Sequence, residues 1–153
     1  MNAMTSNALN AYAKVGVEMG VETASPHQLI LMLYDGAISA LVTARAHMQR
    51  KEIALKGQFL SKAIAIIDEG LKLSLDEKAG GELAQNLKAL YDYMCSRLLM
   101  ANLNNDIAAI DEVGRLLVDL KGAWASIGQQ QKTVSSEAEV QPQQRSALSY
   151  GKA

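Results

Sequence analysis

The chain has 153 residues and a mass of 16.5 kDa, room for one domain that hides about two thirds of its unfolded surface. Hydrophobic residues at 49% against 20% charged exclude wholesale disorder, and 15 Lys and Arg against 16 Asp and Glu, a net charge of −1, give nothing that attracts a polyanion. The single cysteine, Cys95, excludes an intrachain disulfide and a cysteine-built zinc or redox pair, which fits a reducing compartment.

The N-terminal MNAMTSNALNAYAK has no basic stretch leading into an apolar one, so no secretory signal is expected and the reading is cytosolic. Residues before Ala24 carry Leu9, Tyr12, Val15 and Val21 among Asn, Gly and Glu, too apolar for a plain linker, and read as an arm over 1–24. Ser25, Pro26 and Gln28 then form a helix start: a hydroxyl to cap free amides, proline at the first helical position, glutamine to complete a capping box. Ile30, Leu33, Ala37, Leu41, Ala44 and Met48 follow at helical spacing, and this helix ends near Arg50. Its window from Gln28 to Ala44 is the most apolar in the chain, but Asp35 interrupts it, so a membrane span is rejected.

Ile53, Leu60, Ala63, Ile64, Ile67 and Leu71 make a second stripe that stops around Leu75, and Gly80 with Gly81 is expected to reverse the chain. Leu83, Leu87, Leu90, Met94, Leu98 and Ala101 make the third stripe, ending at Asn104, Asn105 and Asp106. Ile110, Val113, Leu117, Leu120, Trp124 and Ile127 make the fourth. Proline is confined to Pro26 and Pro142, so nothing breaks these helices. Four amphipathic helices joined by short turns predict an all-α, antiparallel up-down four-helix bundle over 25–130, and the polar stretch 131–153 reads as a disordered tail.

Chemistry is sparse. His27 and His47 stand apart on one helix, outside any Glu-x-x-His or His-Glu-x-x-His context, and read as solvent-exposed rather than metal-binding. No phosphate-binding glycine loop occurs. The adjacent carboxylates Asp68–Glu69, Asp76–Glu77 and Asp111–Glu112 point about 100° apart on a helix and read as solvated surface. Cys95 reads as packing. No enzyme, metal or cofactor is expected.

The unusual feature is apolar residues outside the stripes: Leu29, Leu31, Met32, Tyr34, Ile38 and Val42 on the first helix, Ile66, Leu73 and Leu75 on the second, Tyr91, Leu99, Met100 and Leu103 on the third, Leu116 and Val118 on the fourth. A bundle helix uses about three positions in seven for its core, so this surplus has two readings: broad burial among Ala-rich helices, or a groove for a partner's amphipathic helix.

The blocks ASPHQLILMLYDGA (24–37), SKAIAIIDEGL (61–71), SLD (74–76), GGELAQNLKALYDYM (80–94), LLMANLNND (98–106) and IDEVGRLLVDLKGAW (110–124), preceded by NALNAY at 7–12, resemble the FliS-type flagellar export chaperones over about residues 7 to 130. The resemblance implies the same bundle and a protein that binds the disordered C-terminal segment of flagellin, prevents premature polymerisation and assists delivery to the type III export apparatus. It also implies contacts with an export-gate membrane protein and an anti-sigma factor. By the same resemblance Leu9 and Tyr12 of the arm, and Ile64, Leu71, Asn86, Leu87, Tyr91 and Met94 of the second and third helices, contact flagellin. The tail from about Ser135 matches nothing in the family and the stretch Glu52–Phe59 is generic, so neither receives a role. The alternative from the residues alone is a self-associating adaptor bundle, a homodimer when no client is present.

Overall fold

A computed structural model describes residues 24–140, with side chains over 24–128; the arm and the end of the tail lie outside the described residues. Four helices and no strand occur among them. Helix α1 is Pro26–Gln49, α2 is Ile53–Ala65 continuing directly into a π-helical turn Ile66–Leu71, α3 is Glu77–Asn104 and α4 is Ile107–Val140. The chain divides into two compact units, 1–121 and 122–153. In the second unit the described residues continue α4 to Val140, past the expected start of the tail at 131. Trp124 and Ile127, the last members of the fourth stripe, fall in this unit.

Within the first unit the helices form the antiparallel up-down bundle that the four stripes predict. Cross-links fix the directions. Lys56 at the start of α2 donates to the Asn102 carbonyl at the end of α3, whereas Lys72 beyond the end of α2 pairs with Asp92. Arg45 pairs with Asp111 and Asp35 with Lys121, so α4 runs back along α1. Lys56 is buried, and its ammonium sits on a carbonyl at the negative end of α3's dipole.

The helix ends follow local chemistry. The Ser25 hydroxyl accepts from the Gln28 amide at 3.2 Å and the Gln28 side chain accepts from the Ser25 amide at 3.0 Å, completing the capping box. Asp76 and Asp106 accept from the amides of Ala79 and Ala109 and so open α3 and α4. The chain therefore turns before Asp76, earlier than the Gly80–Gly81 pair where the sequence placed the reversal. Gly81 instead kinks α3 from within, at φ +53 and ψ −129, a conformation that only glycine adopts cheaply. Leu83, two residues past the kink, is 66% exposed, while the adjacent Ala84 is buried.

The core gathers Leu29, Leu33, Leu60, Ile66, Ile67, Met94, Leu98, Ile110, Val113 and Leu117, all fully or nearly fully buried. Ile66, off the stripe by α-helical counting, is buried because the π turn widens the helix there and brings Ile66, Ile67, Gly70 and Leu71 inward together. Leu33 lies so close to Gly70 that an added Cβ would stand 3.0 Å from it. At the centre the hydroxyls of Tyr34 and Tyr91 meet at 2.7 Å, and no buried side-chain nitrogen or oxygen among the described residues lacks a partner.

Candidate functional site: an apolar groove between the first and last helices

The surplus apolar residues divide into three groups, of which Leu31, Met32, Ile38, Leu75 and Leu116 are half-buried. Leu29, Tyr34, Ile66 and Tyr91 are buried, which is the broad-face reading. Val42, Leu73, Leu99, Met100, Leu103 and Val118 are exposed.

Two of the exposed residues, Val42 and Val118, share one concavity. On α1, Ile38, Leu41, Val42 and Arg45 fall within two turns of one side of the helix. On α4 two rows face them: Ile110, Gly114 and Val118 at steps of four, and beside it Asp111, Arg115 and Asp119 at the same steps. Together they enclose a solvent-open groove of about 390 Å³ with an aliphatic floor and a charged edge. Val42 is 65% and Val118 53% exposed, so water covers much of the aliphatic surface.

Ion pairs hold the groove's walls. The Arg45 guanidinium donates to both Asp111 oxygens, at 2.7 and 3.2 Å, and that hydrogen bond holds the Asp111 carboxyl below its usual range. Behind this contact, Glu112 accepts from the Tyr93 hydroxyl and from Arg97, both of which lower its pKa and bind α3 to α4. A second exposed apolar tract, Leu99, Met100 and Leu103, occupies the last turns of α3. It lies at the end of the bundle where α2 begins with the exposed Ile53 and Leu55.

Among the described residues, those carried over from the family resemblance differ in burial. Leu71, Tyr91 and Met94 are core residues and present almost no surface in this conformation. Ile64 and Leu87 are half-buried and Asn86 is exposed. Leu9 and Tyr12 lie outside the described residues. The α1–α4 groove is not among the positions the resemblance carries over, although Ile38, Val42 and Val118 belong to the apolar surplus and Gly114 stands beside them in mid-helix.

Other candidate chemistry resolves into packing. His47 is not free in solvent: its Nδ1 lies 2.7 Å from a Glu52 carboxylate oxygen, its ring stacks on Phe59 at 5.5 Å, and the hydrogen bond lowers the Glu52 pKa. Burial pushes the Cys95 thiol up to about 11, so it stays protonated at neutral pH, in weak contact with the Ile64 carbonyl at 3.8 Å. Among the described residues no group of three His, Cys, Asp or Glu is placed to hold a metal ion. Helix α1 is long and apolar enough to cross a membrane by composition, but nearly half of its apolar window is already buried in the bundle. What the surface offers is therefore binding by burial of apolar area.

Comparison with known proteins identifies the family of the chain. The family described as "Flagellar protein FliS" matches residues 8–131. A flagellar secretion chaperone FliS of Salmonella typhimurium is 56% identical over 123 residues, covering 80% of this chain and 91% of that protein. FliSB of Pseudomonas aeruginosa, also a flagellar secretion chaperone, is 45% identical over 78% of this chain and 94% of its own. The Bacillus subtilis flagellar secretion chaperone FliS is 36% identical over 68% of this chain and 76% of its own. With nearly the whole bundle matched, and at these identities, the chain belongs to the FliS family of flagellar secretion chaperones.

Proposed function

We propose that the protein is a cytosolic export chaperone that binds the disordered C-terminal segment of flagellin, keeps it from polymerising early and assists its delivery to the flagellar type III export apparatus. The family is one of chaperones, not a class of enzymes, and its members here are named for flagellar secretion. The observation that carries the reading is an aliphatic groove left open on a bundle whose interior is otherwise closed. A segment that folds as it docks must offset about 2–5 kcal/mol of ordering, which calls for a broad apolar contact. At roughly 25 cal/mol per Å² of apolar area, an isolated exposed side chain is too small for that.

In this reading Leu9 and Tyr12 handle the client from the arm, and Ile64, Asn86 and Leu87 meet it from α2 and α3. Leu71, Tyr91 and Met94 act from beneath by holding those helices in place. Contacts with an export-gate membrane protein and an anti-sigma factor belong to the same proposal.

Isothermal titration of the full chain with a flagellin C-terminal peptide tests it. The expected result is binding at micromolar concentration or tighter, with a negative heat-capacity change from apolar burial. Absence of binding at micromolar concentrations overturns the reading.

A further inference from the structure

We propose that the first turn of α3, from Glu77 to Gly80, is a clasp hinged at Gly81 with two positions: folded back along the flank of α3, latched by Glu77 onto Lys88, and in line with α3, where it lengthens that helix and uncovers Ala84.

Three contacts define the folded-back position. Glu77 and Lys88 are eleven residues apart, about 16 Å along a straight helix and beyond the reach of the two side chains, yet Lys88 Nζ donates to Glu77 Oε1 at 3.5 Å. Gln85 Nε2 donates to the same oxygen at 3.2 Å. A Cβ built on Gly80 would stand 2.7 Å from the Cβ of Ala84, where residues four apart on a helix keep theirs about 5–6 Å apart. The turn is also a unit in itself. Asp76 accepts from the Ala79 amide on its carboxylate, at 3.1 Å, and from the Gly80 amide on its carbonyl, at 2.8 Å. It therefore swings about Gly81 with its own hydrogen bonds intact.

The two glycines have different duties. Gly80 leaves room for close packing on Ala84, whereas a Cβ on Gly81 meets nothing within 4 Å, so its backbone angles alone, φ +53 and ψ −129, call for glycine. Every residue from Glu77 to Leu83 is exposed, and the Lys88 and Glu77 side chains are 42% and 48% exposed, so the latch is weak and salt screens it. Against it, glycine at both positions disfavours the continuous helix. Neither position is held firmly over the other. In line, the four residues add about 6 Å to α3 beyond the bundle. The face of Ala84 that Gly80 covers opens to water, and Lys88 and Gln85 lose Glu77.

Spin labels at the exposed Lys78 and Ser96, in the full-length chain with Cys95→Ala and no client, test the clasp independently of the chaperone reading. Unbroken helix between the labels separates them by about 27 Å, and the folded-back turn brings them closer. The expected wild-type result is a short distance with a minor population near the long one, growing several-fold at about 1 M salt. Gly81→Ala, strained at that φ, is expected to raise the long-to-short ratio tenfold or more. Lys88→Glu is expected to raise it less, with recovery when Glu77→Lys is added. Both sites lie on the surface, so melting temperatures near the wild type are expected and confirm that the variants fold. A single short distance in the wild type at low and high salt overturns the proposal, as does a short distance retained in Gly81→Ala. A ratio that Lys88→Glu leaves unmoved overturns the latch.

Discussion

The seam around Tyr34 and Tyr91 and the groove between α1 and α4 are built from the same kinds of helix, yet one is sealed and the other open. In the seam, α1, α2 and α3 meet through Leu33, Leu60, Ile67 and Met94, and the two polar atoms that reach the middle satisfy each other. In the groove, Gly114 takes away a side chain where one would have filled the gap, and Arg45 bridges to Asp111 across the edge. The contrast teaches that an open apolar surface need not come from weak core packing. It can be set by a few positions on the outward side of two helices that are each firmly held from within.

The sharpest way to break that contrast is to loosen the sealed side. Met94→Ala removes a fully buried side chain and is expected to cost about 2–5 kcal/mol, read as a large fall in the denaturant midpoint. A loss well below that range would mean the seam can collapse around the cavity and is softer than its burial indicates.

A smaller effect is expected from the tyrosine pair. Tyr34→Phe leaves the Tyr91 hydroxyl buried and unpaired, at a cost of about 1–3 kcal/mol, while the double change Tyr34→Phe with Tyr91→Phe is expected to be less damaging than the two single costs summed. Burial is the main reason both phenols are held above their ordinary value, and in Tyr91 its neighbour adds to the effect. The unfolded state therefore loses these protons first, and the pair's share of stability, whole below about pH 10, declines as pH rises beyond it. The double variant is expected to flatten that alkaline decline in a melt series.

The smallest effect belongs to the groove. Asp111 titrates below its ordinary value because Arg45 hydrogen-bonds the carboxylate. Its contribution is whole above about pH 4, the unfolded value, and disappears as pH falls through the depressed one. Arg45→Gln is expected to remove a slight acid-side loss of melting temperature and to leave the alkaline side unchanged, since an ion pair this exposed is well screened. A large effect at neutral pH would show that the groove's wall is structural to the whole bundle.

The fold was legible because helix periodicity and caps are local. The capping box at Ser25 and Gln28, the cap at Asp106, and buried stripes such as Leu33–Ala37–Leu41–Ala44 need only neighbours in sequence to be recognised. Three things were not local. Gly81 bends a helix instead of ending one, because Asp76 had already capped it. The π turn shifts the phase of α2, so Ile66 counts as surplus by α-helical arithmetic although it lies in the core. Among the surplus residues, only the pairing of helices decides that Tyr34 is inside and Val42 outside. For the site, the groove needs α1 and α4 side by side, which no spacing within either helix reveals. Residue-by-residue transfer from the family also could not separate Met94, in the core, from Asn86, on the surface.

The wide turn at Ile66–Leu71 has one more consequence. A π turn spends an extra residue to climb the height of an ordinary one, so it is a store of slack in an otherwise taut hairpin. A chain shortened by one residue there can take it up by tightening into an α-helix, with Asp76 still in place to launch α3. The same deletion in α1 would twist Leu41 and everything after it away from its partners. Loss of one residue is therefore expected to cost less at the π turn of α2 than in α1.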